Sequence, residues 1–260
     1  MLLYSRSQGS GPPLILLHGL FGSLENLGAI AKPLAQSFCV HSLDLPNHGR
    51  SPQTAHMSLD AMADAVGAWM DAQGIDTAHF FGHSLGGKTL MEFALKYPQR
   101  VNKLIVADIA PVHYTPHHQA VFTGLLSITP ERLTSRAEAD HILLPHVPEL
   151  PVRSFLLKNL VKEENGFSWR MNLPIIHRDY AQLISGNREG AIFTGQTLFL
   201  KGGNSDYITE QHRAAIVQRF PAAQLKIVAN TGHWLHAEKP DLIASMSLRF
   251  LLGERGDNLG

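Results

Sequence analysis

The chain has 260 residues, 44% of them hydrophobic, with 22 Lys+Arg balanced by 22 Asp+Glu. That length holds one large α/β domain or a core with an insertion, and the even charge argues against a nucleic-acid or membrane-surface protein. A lone cysteine, Cys39 between Phe38 and Val40, excludes an internal disulfide and reads as a structural strand residue.

The opening residues, Met1-Leu2-Leu3-Tyr4-Ser5-Arg6, lack the basic-then-apolar pattern of a signal peptide. No apolar run approaches the ~20 residues of a membrane span. The expectation is a cytoplasmic protein.

A short strand is predicted around Leu2–Ser5, then a turn at Gly9-Ser10-Gly11-Pro12. Leu14-Ile15-Leu16-Leu17 is continuously apolar, as in a parallel strand buried on both faces. It runs into His18-Gly19-Leu20-Phe21-Gly22-Ser23, a glycine-containing loop at a strand's carboxyl end, where α/β sheets place ligand groups. Residues 25–36 read as helix and 37–44 as strand, followed by a loop of turn formers through Asn47 and Ser51. Ser58 is placed to cap a helix that runs to about Gln73, its Leu59, Met62, Ala63, Val66, Trp69 and Met70 at helical spacing, with Gly74 closing it.

Next come Thr77-Ala78-His79-Phe80-Phe81, then Gly82-His83-Ser84-Leu85-Gly86-Gly87, then a helical run to about Tyr97. Strand, sharp turn and helix around Gly-x-Ser-x-Gly is the context of a nucleophile elbow. The turn strains the Ser84 backbone and lifts its hydroxyl clear of the sheet. Gly82 and Gly86 leave room where strand and helix close on each other. The Leu85 amide, opening the helix, is a candidate oxyanion donor; the loop after Leu17 offers a second, from Leu20 or Phe21.

Val101–Ala107 reads as a buried strand that ends in Asp108. The alternation then breaks. Residues 111–190 show amphipathic helical stretches and no convincing strand, so they are expected to form a helical insertion with its own apolar faces, Phe155 among them. Residues 1–110 and 191–260 form the core on this reading. The alternation resumes with a strand at 197–200, a helix at 209–219 and a strand at 224–228; a loop with Thr231-Gly232-His233 and a helix over 240–252 follow. The polar tail 253–260 is expected to fray.

Serine needs a base, which a histidine can supply. His83, inside the elbow, reads as a packing residue, and His236 as a weaker base candidate. His113, His117 and His118 lie close together, but without acidic or cysteine ligands at a recognisable spacing; no metal and no cofactor are expected. Phe21, Phe155 and Trp234 are candidate pocket walls.

The order of glycine loop, nucleophile elbow and late histidine resembles the α/β-hydrolase fold, a mostly parallel sheet flanked by helices. More narrowly, Asn47-His48-Gly49-Arg50-Ser51, the elbow with Lys88, Phe155 to Leu160 and Phe167 to Leu173 are similar to the YbfF-type bacterial esterases. Asn47 stands where many hydrolases have glycine; Asn tolerates positive φ, so the loop is expected to keep its shape. The resemblance implies a capped serine esterase, with Ser84 as nucleophile and His233 as base, acting on a small-molecule acyl ester, with acyl-CoA thioesters as an additional class. C–C bond or peptide hydrolysis on the same fold, and a non-catalytic ligand-binding protein, are the alternatives.

In that fold the acid often follows the strand after the insertion, as Gly-x-x-Asp. Here the third residue after Gly202 is Ser205, and Asp206 comes one position late. Asp108 ends the strand before the insertion, another position from which the fold supplies the acid. Asp108 is therefore the expected partner of His233, with Ser205 as a hydrogen-bonding partner of His233 and Asp206 as the alternative acid.

Overall fold

The computed structural model describes residues 2–164 and 166–253. Its first half contains β1 (Ser5–Gln8), β2 (Pro13–Leu17), α1 (Gly28–Leu34), β3 (Cys39–Leu43), α2 (Leu59–Ala72), β4 (Ala78–His83), α3 (Leu85–Lys96) and β5 (Val101–Ala107). Between β5 and the next core strand lie α4 (Gln119–Leu126), α5 (Arg136–Leu143), α6 (Leu150–Leu156), β6 (Leu160–Glu163), β7 (Gly166–Trp169), α7 (Leu173–Arg178) and α8 (Tyr180–Leu183). The chain ends with β8 (Thr197–Gly202), α9 (Arg213–Arg219), β9 (Ala223–Val228), α10 (Leu235–Glu238) and α11 (Pro240–Leu252).

Among the described residues seven strands form one sheet in the order β1-β3-β2-β4-β5-β8-β9, parallel throughout except where β1 pairs antiparallel with β3. The apolar run of β2 splits between two cores, as a doubly covered strand must. Ile15 and Leu17 pack with Trp69 of α2 and Phe93 of α3. Leu14 and Leu16 pack with Ile30 of α1 and Ile243 of α11 on the other face. The α2 cap forms as the sequence predicts: Ser58 Oγ accepts from the Ala61 amide at 3.1 Å.

Three expectations need correction. The opening strand begins at Ser5, where it was expected to end. Its residues are partly or fully exposed, so its place is set by backbone pairing with β3, which leaves no apolar signature. The predicted helix over 25–36 is a 3₁₀ turn, Leu24–Leu27, followed by the shorter α1. The stretch expected to hold no strand contains the hairpin β6–β7, with Leu160 opposite Trp169 and Lys162 opposite Phe167. Each arm has four residues with one buried side chain, too little for a period of two to stand out. The tail expected to fray lies, from residue 254 on, outside the described residues.

Register decides what meets at the sheet's carboxyl edge. Leu17 lies opposite Gly82, and His83 opposite Ala107. The residues that follow these strands, the loop from His18, Ser84 and Asp108, therefore emerge side by side. Among the described residues no helix is long and apolar enough to cross a membrane.

Candidate active site

The turn after β4 is as tight as the glycines suggest. Ser84 has φ 52° and ψ −117°, a conformation L-residues avoid. A Cβ on Gly82 would lie 2.5 Å from the Gly86 carbonyl oxygen, and one on Gly86 would strike the Leu17 carbonyl. Any side chain at either position would push strand and helix apart and move Ser84.

Ser84 Oγ lies 3.0 Å from His233 Nε2, and His233 Nδ1 lies 2.8 Å from Asp108 Oδ2. Asp108 is fully buried, so its carboxylate needs partners. It also accepts from the Gly202 amide at 2.9 Å and from the Ser205 hydroxyl. With Nδ1–H donating to Asp108, Nε2 is left bare to accept the Ser84 proton. Of the acid candidates, Asp108 is the one brought to His233. Ser205 binds Asp108 rather than His233, a correction to the expected pairing: the turn after β8 carries its hydroxyl to the carboxylate. Asp206 is exposed and takes part in no hydrogen bond or ion pair among the described residues.

The His233 loop is tied down by its flanks. Glu238 accepts from the Gly232 amide at 3.0 and 3.1 Å, Lys239 Nζ donates to the Ala229 carbonyl at 2.7 Å, and His83 Nε2 donates to the His233 carbonyl at 2.8 Å. His83 thus anchors the backbone of the His233 loop. His236 is buried in α10 against the His83 ring, 4.2 Å between centroids, and makes no contact with Ser84 or Asp108 among the described hydrogen bonds.

Leu20 and Leu85 line the cavity with Ser84, and their amides belong to two different peptides. The Gly19 carbonyl accepts from the Gly22 amide at 3.0 Å and from His18 Nδ1 at 2.8 Å. In a trans peptide the N–H opposes its C=O, so the Leu20 amide is directed away from those donors. The Ser84 carbonyl likewise accepts from the Lys88 amide at 2.9 Å, which leaves the Leu85 N–H at the open end of α3. Among the described residues neither amide has an acceptor. The Phe21 amide, the other candidate, is taken: it donates to His48 Nε2 at 3.2 Å.

His18 and His48 hold this loop as neutral rings. Each donates from Nδ1 to a carbonyl, and each accepts a backbone amide at Nε2, from Leu45 and Phe21. Burial pushes His18 down to about 4 and His48 to about 3. Asn47 has φ 61°, as expected of an Asn in a glycine position.

A cavity of about 290 Å³ opens over Ser84. Val121, Val152, Phe155, Leu156, Leu183 and Ile184 of the inserted segment form its apolar wall, with Phe21, Ile109 and Trp234 from the core side. Phe155 and Trp234 meet at 5.7 Å between ring centroids. All three expected wall residues, Phe21, Phe155 and Trp234, line it. His117 and His118 line it too. His117 Nε2 pairs with the Tyr207 hydroxyl at 2.5 Å and His118 Nδ1 with the Tyr180 hydroxyl at 2.6 Å.

Several residues here escaped the sequence reading. Lys88 is buried on the cavity wall and donates to the Val112 carbonyl at 2.8 Å; burial lowers its ammonium to about 7. Tyr207 stacks on His233. Asn159 and Asn172 bind the core loops: Asn159 Nδ2 donates to the Phe21 carbonyl at 2.7 Å, and the Asn172 amide to the Asn47 carbonyl at 2.9 Å. Both lie in the motifs on which the resemblance rests; an amide side chain inside an apolar stretch was the available signal.

Fold and site together define an α/β hydrolase. The family model for the alpha/beta hydrolase fold matches residues 12–240, and the chain belongs to that family. Within it the chain is similar to Esterase YbfF of Escherichia coli (strain K12), 38% identical over 248 residues that cover 95% of this chain and 96% of that one. It is also 38% identical, over 88% of its length and 77% of the other's, to the sn-1-specific diacylglycerol lipase ABHD11 of Mus musculus. A solved structure of a marine microorganism esterase superposes with a TM-score of 0.93 at 38% identity, covering 96% of this chain and 99% of that one. The group to which the chain belongs is therefore that of the YbfF-type esterases.

Proposed function

We propose that the protein is a serine carboxylesterase that cleaves small-molecule acyl esters through a Ser84 acyl-enzyme. The observation that carries this reading is the hydrogen-bonded chain from Ser84 through His233 to Asp108 beneath an apolar cavity. Ser84 Oγ attacks the ester carbonyl while His233 Nε2 takes its proton. Asp108 holds the imidazole in the required tautomer and stabilises the imidazolium. The Leu20 and Leu85 amides take up the charge on the tetrahedral oxygen, each such donor being worth roughly 100- to 1000-fold in rate. The imidazolium then gives its proton to the leaving oxygen as the C–O bond breaks. Water, deprotonated by His233, hydrolyses the acyl-enzyme by the same route and restores Ser84.

Residues 111–190 serve as a cap on the core of 1–110 and 191–260. Six of its apolar side chains on the cavity wall support this division. Phe21, Phe155 and Trp234 contact the acyl chain. Acyl-CoA thioesters fit the same chemistry, with a thiolate as the leaving group. The enzyme works in the cytoplasm, a reading supported by the even charge and the single cysteine.

A fluorophosphonate probe tests the reading. It should label Ser84, and failure to label the folded protein would overturn it. A panel of p-nitrophenyl esters, acyl-CoAs and aminoacyl amides separates esterase from thioesterase and peptidase. Tight binding of a panel compound without turnover would favour a ligand-binding protein instead.

A further inference from the structure

The loop that carries the Leu20 amide is held from two sides. Gly19–Gly22 is a tight turn closed by the Gly22 N–H to Gly19 C=O bond at 3.0 Å, with Phe21 at its third position. Phe21 has φ 60°, a value that a type II turn demands there and that suits glycine or asparagine. A phenylalanine stays in it only where its surroundings over-determine it.

Those surroundings come largely from the inserted segment. On the core side, the Phe21 amide is held by His48 Nε2. From the insertion, Asn159 Nδ2 donates to the Phe21 carbonyl at 2.7 Å and also to the Leu156 carbonyl at 3.1 Å. The Phe21 ring stands edge-on to Phe122 of α4, 5.2 Å between centroids. Asn159 is buried, 4% exposed, and its own carbonyl accepts the Arg170 amide at 2.8 Å. It sits rigidly between the end of α6 and the hairpin.

We propose that Asn159 is a positioning residue for ester hydrolysis: by fixing the Phe21 carbonyl it holds the Gly19–Leu20 peptide so that the Leu20 amide meets the developing oxyanion. The second oxyanion donor is thereby complete only while the inserted segment is seated on the core. The inference rests on the serine-esterase reading above. Asn159 acts at a distance, since it touches the loop and not the substrate. Its loss displaces a donor rather than deleting it, so the cost is smaller than for removal of the donor itself.

The experiment compares wild type with Asn159→Ala and with Asn159→Asp, which keeps the size and loses both donors. kcat and KM are measured on p-nitrophenyl acetate and butyrate. Ki is measured for an alkyl trifluoromethyl ketone, which adds to the serine as a tetrahedral oxyanion, and for its methyl ketone counterpart, which binds without that charge. kcat should fall roughly 10- to 100-fold on both esters, with KM within about twofold. The trifluoromethyl ketone should weaken by the same factor and the methyl ketone hardly at all. Unchanged kcat in a folded variant overturns the inference and leaves the esterase reading intact. Equal weakening of both ketones also overturns it, since that marks a purely structural residue. A wild type that turns over no ester overturns both.

Discussion

Tyr207 lies flat on His233, the ring centroids 3.8 Å apart and the planes 17° apart. Tyr207 is itself fixed at three points. Its carbonyl accepts from the Tyr114 hydroxyl at 2.5 Å, its amide donates to Ser205 Oγ at 3.3 Å, and its hydroxyl pairs with His117. Asp108 fixes one point of the imidazole, and the stack fixes the plane. Tyr207→Ala should lower kcat roughly tenfold through misorientation of the base, whereas Tyr207→Phe, which keeps the stack, should stay within about threefold. Steady-state kinetics on one p-nitrophenyl ester decide it. An Ala variant with wild-type kcat would mean that Asp108 alone orients the ring.

The acid can be tested by charge removal. Asp108→Asn should cost about 10⁴-fold in kcat, because the amide cannot both keep the His233 tautomer and offset the imidazolium charge. Asp206→Asn should remain near wild type, since Asp206 is exposed and away from His233. Ser205→Ala removes one of the partners of the Asp108 carboxylate and leaves Gly202 and His233 in place; a loss of about tenfold is expected. A collapse in Asp206→Asn with an active Asp108→Asn would reverse the assignment.

Ser84 and Asp108 were legible because each directly follows a strand, and strand ends are readable from apolar runs; His233 was legible from its place in the loop after the last strand. Val101–Ala107 appears in the structure with the boundaries the sequence predicts, which is why Asp108 could be proposed over the usual later position. The direction of Ser205 was not legible. A turn decides whether a hydroxyl meets the carboxylate or the imidazole, and the two lie 2.8 Å apart. The choice between the Leu20 and Phe21 amides was closed for the same kind of reason. It depends on His48, 27 residues away in the chain, whose ring reaches across from another loop. Asn159 meets Phe21 across 138 residues, and Tyr207 meets His233 from another loop, contacts that local pattern does not encode.

Chain-length preference should respond to the wall of the cavity. Phe155 is half-buried there and packs on Trp234. Phe155→Ala should reduce kcat/KM for octanoyl more than for acetyl p-nitrophenyl ester, by roughly 10-fold or more in the ratio, since a lost apolar contact surface is worth about 1–3 kcal/mol. A uniform loss across chain lengths would make Phe155 a folding residue only.

Stability should fall in mild acid. Burial pushes His18, His48, His118 and His236 to about 4, 3, 3 and 4, and holds His83 well below the ordinary imidazole value. In the unfolded chain each titrates near 6.5. Between those values the unfolded state holds more protons, so stability rises with pH there. The contribution is complete above about pH 6.5 and is lost as pH falls toward 4. Each ring adds a slope of up to about 1.4 kcal/mol per pH unit. Asp44 works against this over a narrower range, since burial raises its carboxyl and lets the folded state take a proton first. Urea unfolding between pH 7.5 and 5 measures the balance: the midpoint should drop steadily, with an uptake approaching five protons per molecule on unfolding at pH 5, one for each of these rings. His236 is the ring to remove, because its Nδ1 has no partner among the described residues and no loop depends on it. His236→Phe should therefore lower the uptake by about one proton, and a midpoint that is flat over this range would show that these rings are charged in the folded protein.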